Sequence, residues 1–172
     1  MKRIILFFLV IAVSDTYGQN EFGAAAFYSD FKKVYADAQA GFLSYKGDQR
    51  KSEFEEIITE YKVKLLLPLA DSGKIVVPVS GNPYVIYYFE PDKVRLKVDQ
   101  RGTYLRDAVL TAFEKPLYAR TETWIINNYP FTNALYFTDP NESRSAYAAF
   151  RMSIYYSCGK YYLSFEIRGK KQ

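Results

Sequence analysis

A chain of 172 residues with one cysteine, Cys158, and no histidine can form no disulfide of its own. It also has no imidazole for a nucleophile pair, a proton shuttle or a metal site. A net charge of +4 is too small to mark a nucleic-acid binder, and an aromatic share of 18%, with 17 Tyr and 13 Phe, excludes a disordered chain and favours strands.

Lys2 and Arg3 precede an apolar run over residues 4–13, and Ser14, Asp15, Thr16, Tyr17 and Gly18 follow. This is the layout of a secretory signal peptide, with small residues placed for cleavage after Gly18. The run is too short to cross a bilayer, which takes about 20 apolar residues. The expectation is an exported protein, secreted or periplasmic, with a signal peptide over 1–18 and a single α+β domain over 19–172. No cysteine follows the run for lipid attachment, and no second apolar segment reaches spanning length, so no transmembrane segment is expected.

Ala24, Phe27, Tyr28, Phe31, Val34, Tyr35, Ala38 and Phe42 recur at three and four residues, which predicts a helix running to Phe42 or Leu43. Lys32, Lys33, Asp37 and Gln39 fall on its other side. Thr59, Tyr61, Val63, Leu65 and Leu67 alternate with polar residues, the pattern of a strand wet on one face. Asp71-Ser72-Gly73 reads as a turn. Ile75, Val77 and Val79 mark a second strand that is at an edge or stops at Pro78. A turn at Ser80-Gly81-Asn82-Pro83 leads to a buried central strand over 84–89, which Pro91-Asp92 breaks.

Residues 93–98 fit a strand or a helix equally. Gly102 reads as a boundary, Thr103 as the cap of a second helix carrying Leu105, Ala108, Val109, Ala112 and Phe113, and Pro116 as its stop. Strands follow over 122–127, 134–138, 146–157 and 160–168. The sum is an antiparallel sheet of six to eight strands with two helices on one face, in the order helix, three strands, helix, three or four strands. Two small sheets in a sandwich or partly closed barrel are the rival.

The last two strands specify their own pairing. A two-residue turn at Cys158-Gly159 sets Tyr156 against Tyr161, Ile154 against Leu163, Met152 against Phe165 and Phe150 against Ile167, all apolar and on one side. The other side pairs Tyr155 with Tyr162, Ser153 with Ser164 and Arg151 with Glu166. A slip of one residue would mix the faces.

Catalytic signals are thin. Ser29-x-x-Lys32 and Ser157-x-x-Lys160 have Ser–Lys spacing, and Glu53, Glu55, Glu56 and Glu60 form an acidic cluster suited to paired-carboxylate chemistry. Both patterns are common on ordinary surfaces. Asp139, Asn141 and Ser143 look like half a calcium loop but lack its glycine and its closing glutamate, so a turn is the better reading. No cofactor and no metal are expected. The stronger signal is Tyr147, Arg151, Tyr155, Tyr162 and Arg168, with Lys160 nearby, on the outer side of the final hairpin. Tyrosine and arginine concentrate where proteins meet. From Arg144 onward the chain has six basic residues and one acid, Glu166, which suits an acidic protein or an anionic glycan; edge lysines that block aggregation are the plainer account.

Phe31 through Phe42 to Lys46-Gly47, then Tyr61, Val63 and Leu65 into Leu67-Pro68, resembles small exported bacterial proteins of unknown function, whose leading helix ends in Phe-x-x-x-Lys-Gly before a β-meander. The resemblance covers about a third of the chain and implies no catalytic residue. The function expected is a non-enzymatic binding or protein-interaction role such as an immunity, inhibitor or assembly factor. The partner would be another envelope or secreted protein, or an anionic glycan, and a homodimer is left open. A small hydrolase using Ser–Lys or carboxylate chemistry is the alternative. If the export reading holds, N-terminal sequencing of the protein recovered from its producing cell starts at Gln19; a start at Met1 refutes it.

Overall fold

The computed structural model describes residues 25–51 and 58–171. The proposed signal peptide and Glu53, Glu55 and Glu56 lie outside the described residues. The described chain is α+β. Helix α1 (Ala25–Gln39) is followed by strands β1 (Lys46–Arg50), β2 (Ile58–Val63), β3 (Ala70–Pro78) and β4 (Tyr84–Asp92). Helix α2 (Arg95–Phe113) is followed by β5 (Tyr118–Ile126), β6 (Tyr129–Phe137), a 3-10 turn (Ser145–Tyr147), β7 (Phe150–Ser157) and β8 (Lys160–Arg168). The eight strands form one antiparallel sheet in the order β1-β2-β3-β4-β8-β7-β6-β5, which removes the sandwich alternative. Each half is therefore a helix and a four-stranded meander, and β4 pairs with β8 where the halves meet.

Four strands in the first half, rather than three, is a correction. The sequence Lys46-Gly47-Asp48-Gln49-Arg50 has no apolar alternation because β1 is a largely exposed edge, held by backbone pairing to β2. A second correction concerns α1. It stops at Gln39, and Gly41 and Phe42 adopt left-handed φ values of 73° and 61°, with the Phe42 N–H returning to the Asp37 carbonyl at 2.8 Å. This is a helix-terminating bend, and it still delivers the Phe42 ring to the core. Asp37 is not on the wet side. It is buried, and its carboxylate accepts the N–H groups of Ser44 at 2.8 Å and Tyr45 at 2.9 Å, fixing the path from α1 into β1.

Asp71-Ser72-Gly73 is not a turn but part of β3. The chain turns earlier, at Pro68-Leu69, where Leu69 has a φ of 67°. Gly73 is needed for close packing instead, since a Cβ there would stand 2.9 Å from both the Tyr87 ring and a Val63 methyl. Strand β3 does end at Pro78. Strand β4 runs on through Pro91-Asp92, with an irregularity after Phe89. Residues 93–98 resolve as helix from Arg95, and the Asp92 carboxylate takes the Val94 N–H at 2.8 Å. Thr103 therefore caps nothing; its hydroxyl donates to the Asp99 carbonyl one turn back. Gly102 is no boundary either: it lies inside the helix against the sheet, where a Cβ would come within 3.3 Å of the Ile154 Cδ1. The strand expected over 146–157 starts only at Phe150, after the 3-10 turn.

Both helices pack on the same side of the sheet. Phe31 of α1 and Phe113 of α2 each meet the Phe150 ring, at 5.6 and 5.0 Å between centroids. Val85, Tyr87, Phe89, Leu163, Phe165 and Ile167 complete that core from the two central strands. Aromatic contacts of this kind add about 0.5–1.5 kcal/mol each beyond the area they bury. The Tyr87 hydroxyl is satisfied by donation to the Leu65 carbonyl at 3.0 Å.

Asp37→Ala leaves two donors without their carboxylate and should cost about 2–3 kcal/mol, read as a lower denaturant midpoint with an unchanged slope; wild-type stability would show that Asp37 does not hold this junction.

Candidate functional site

Strand pairing sorts side chains by parity. With Val85, Tyr87, Phe150, Met152, Leu163 and Phe165 committed to the core, their neighbours point to the side without helices. The register of the final hairpin matches the expected pairing at every rung, including Tyr155 with Tyr162 and Arg151 with Glu166. Leu163 is fully buried while Ile154, Tyr155 and Tyr162 are half-buried, and Ser153, Ser164 and Glu166 on the helix-free side are buried as well.

Three tiers cross the helix-free face. The first is aromatic. Trp124 of β5 lies 5.8 Å from Phe131 of β6, Phe131 lies 5.9 Å from Tyr155 of β7, and Tyr155 stacks on Tyr162 of β8 at 5.4 Å with their planes 12° apart. The second tier is small and polar: Asn133, Ser153 and Ser164 are all buried, and the Ser153 hydroxyl donates to the Asn133 Oδ1 at 2.6 Å. The third is charged. Glu166 is buried beneath the face and holds Arg168 at 2.8 Å and Arg151 at 3.6 Å. Two guanidinium groups on one carboxylate leave this point with a surplus positive charge. A second guanidinium nitrogen of Arg168 donates to the Ala146 carbonyl, tying the 3-10 turn to the face. At the β5 end, Arg120 pairs with Glu122 and lies over the Phe137 ring at 5.8 Å. The Nε atoms of Arg120, Arg151 and Arg168 are buried with no partner among the described residues.

Burial holds the phenols of Tyr84, Tyr88 and Tyr155 above the ordinary tyrosine range, and Glu166 adds to the effect at Tyr84 and, with Glu60, at Tyr88. They therefore remain neutral hydroxyls through the physiological range.

Of the five expected site residues, Arg151, Tyr155, Tyr162 and Arg168 share this face. Tyr147 does not stand on a strand: it lies in the 3-10 turn and is exposed. The basic residues after Arg144 do not gather into one patch. Arg151 and Arg168 serve the sheet, Lys160 sits at the hairpin end and Lys171 reaches the Val79 carbonyl and Asn82. Trp124, Phe131, Asn133 and Glu122 were missed as members of the face. Their signal was Asn127-Asn128, a pair that tolerates left-handed φ and has values of 51° and 65°. Centring a hairpin there sets Trp124 opposite Phe131 and Glu122 opposite Asn133.

Among the described residues, Lys32, Glu60 and Ser157 of the hydrolase alternative each have a partner outside the expected pairing. Lys32 is engaged by Glu114 at 2.5 Å, Lys74 by Glu60 at 2.6 Å, and the Ser157 hydroxyl points to the Cys158 sulfur at 3.6 Å. Asp139 accepts the Asn141 N–H at 2.8 Å in an ordinary Asx turn. A cleft of about 230 Å³ on the helix side, between α2 and the β6–β8 strands, is lined in part by Asp99, Thr103 and Arg106. Asp99 pairs with Arg95, the Thr103 hydroxyl donates to the Asp99 carbonyl, and Arg106 pairs with Asp107. Comparison with protein-family models, with curated proteins and with solved structures found no match.

Because the folded-state values of Tyr84, Tyr88 and Tyr155 are raised, their contribution to stability is complete below the unfolded tyrosine value of about 10 and is lost as pH climbs through and past it. Tyrosinate absorbance should appear in two stages on alkaline titration, and Tyr155→Phe should shrink the later one. Loss from the early stage instead would mean that Tyr155 is not held beneath its neighbours.

Proposed function

We propose that this is an exported, non-enzymatic binding protein that engages a protein partner on the helix-free side of its sheet. One observation carries the reading. The aromatic row from Trp124 to Tyr162 crosses four strands in mutual contact, half-open to solvent, beside Arg151 and Arg168 held in place by a buried glutamate. Aromatic side chains with few rotatable bonds supply contact area at low entropic cost, and preoriented arginines supply direction. The central polar tier is buried, and its Ser153–Asn133 hydrogen bond ties β7 to β6 beneath the row.

The contact would centre on Tyr155 and Tyr162, with Arg151 at their flank and Arg168 anchoring the 3-10 turn that carries Tyr147. Trp124 is the chain's one tryptophan and reports on the row by its emission.

Tyr155→Ala with Tyr162→Ala and Arg151→Ala should abolish recovery of the partner from envelope extract and any accompanying change in Trp124 emission, while Lys32→Ala on the helix side leaves both intact. Equal recovery by the triple variant would remove this face as the binding surface.

A further inference from the structure

The two edges of the sheet are built in opposite ways. Strand β1 is five residues long, almost entirely polar or charged, and its register is broken between Lys46 and Gln49. Those are the usual devices that keep an edge from pairing. Strand β5 is neither short nor irregular, and its two charges, Arg120 and Glu122, are of opposite sign. It is nine residues long, pairs with β6 in unbroken register, and contains neither proline, glycine nor lysine. Its apolar side chains stand in the open: Trp124 is 47%, Ile125 68% and Ile126 53% exposed.

The hairpin also determines which backbone groups are spare. A two-residue turn at Asn127-Asn128 closes on the hydrogen-bonded pair Ile126–Tyr129. Alternation then directs the N–H and C=O groups of Ala119, Thr121, Thr123 and Ile125 away from β6. Among the described residues no strand pairs with this edge, which makes it a ready antiparallel template.

We propose that β5 pairs with β5 of a second copy of this chain, about a two-fold axis at Thr121. The sequence Tyr118-Ala119-Arg120-Thr121-Glu122-Thr123-Trp124 is self-complementary about that residue. Thr121 faces Thr121 of the partner subunit through the outward backbone groups, and Ala119 faces Thr123 of the partner subunit. On the helix-free side Arg120 meets Glu122 of the partner subunit and Tyr118 meets Trp124 of the partner subunit. By alternation these last are non-hydrogen-bonded pairs, in which side chains stand closest. Moving the axis to Arg120 or to Glu122 would put like charges directly opposite, so charge selects this register. Each favourable contact occurs twice because the interface is isologous. The pairing joins the two sheets edge to edge and brings the two aromatic rows together on one side.

Sedimentation equilibrium of the purified protein should show a dimer. Thr121→Pro, which removes an N–H that β6 does not use, should give a monomer with unchanged circular dichroism. Arg120→Glu or Glu122→Arg alone should weaken the dimer about tenfold, since two contacts are reversed at once, and the double swap should restore it. With Cys158→Ser as background, Thr121→Cys should give a disulfide-linked dimer under mild oxidation and Thr123→Cys should not. A wild-type protein that stays monomeric, charge reversals without effect, or efficient cross-linking through position 123 would each overturn the proposal. The charge and cysteine arms decide the matter even if the proline variant fails to fold.

Discussion

The pairing of β4 with β8 is the constraint on which this architecture rests. Every other strand neighbour is a local meander step, formed between segments that follow one another in sequence. Among the strand pairings, the β4–β8 ladder is the one that joins the two helix-plus-four-strand halves. One side of it, Val85 with Ile167, Tyr87 with Phe165 and Phe89 with Leu163, supplies the floor on which both helices rest. The other side, Tyr84 with Arg168, Ile86 with Glu166 and Tyr88 with Ser164, supplies the middle of the helix-free face. Core and candidate surface are thus two sides of the same seven rungs, and a change that shifts one shifts the other.

That geometry explains why a glutamate can be buried on a face that no helix covers. Glu166 lies in the central strand between Arg151 across one ladder and Ile86 across the other, with Arg168 on its own strand. Its desolvation is offset by the two guanidinium groups that pair with it. The same crowding raises the tyrosine hydroxyls around it. The arginines are consequently held in fixed directions beside the aromatic row.

Much of the architecture was legible wherever the period-2 signal and a tight turn coincided. The Cys158-Gly159 hairpin could be read to the rung because both faces carry matched pairs. The amphipathic stripe of α1 was equally plain. What escaped had other causes. Strand β1 has no apolar face to betray it. Gly73 and Gly102 looked like breaks, yet a Cβ at Gly73 would collide with Tyr87 and Val63, and one at Gly102 would press tightly on Ile154. Asp37 looked like a wet residue and is a buried acceptor for two backbone donors. Thr103 looked like a cap because Gly102 preceded it. On the candidate site, the residues of β7 and β8 were found while those of β5 and β6 were not, since the Asn127-Asn128 turn was not used to align them. Tyr147 was placed on a strand that the 3-10 turn had displaced.

The connectivity has a temporal side. Strand β8 comes after all the others in sequence, yet it lies at the sheet's midline, next to β4. A chain emerging from its amino end therefore completes its first meander with the inner margin of β4 bare. It must then hold that margin unsatisfied while α2 and three further strands are made. Long-range closure of this kind is slow, so the newborn first half spends its early life as an unfinished sheet that only the closing segment can seal.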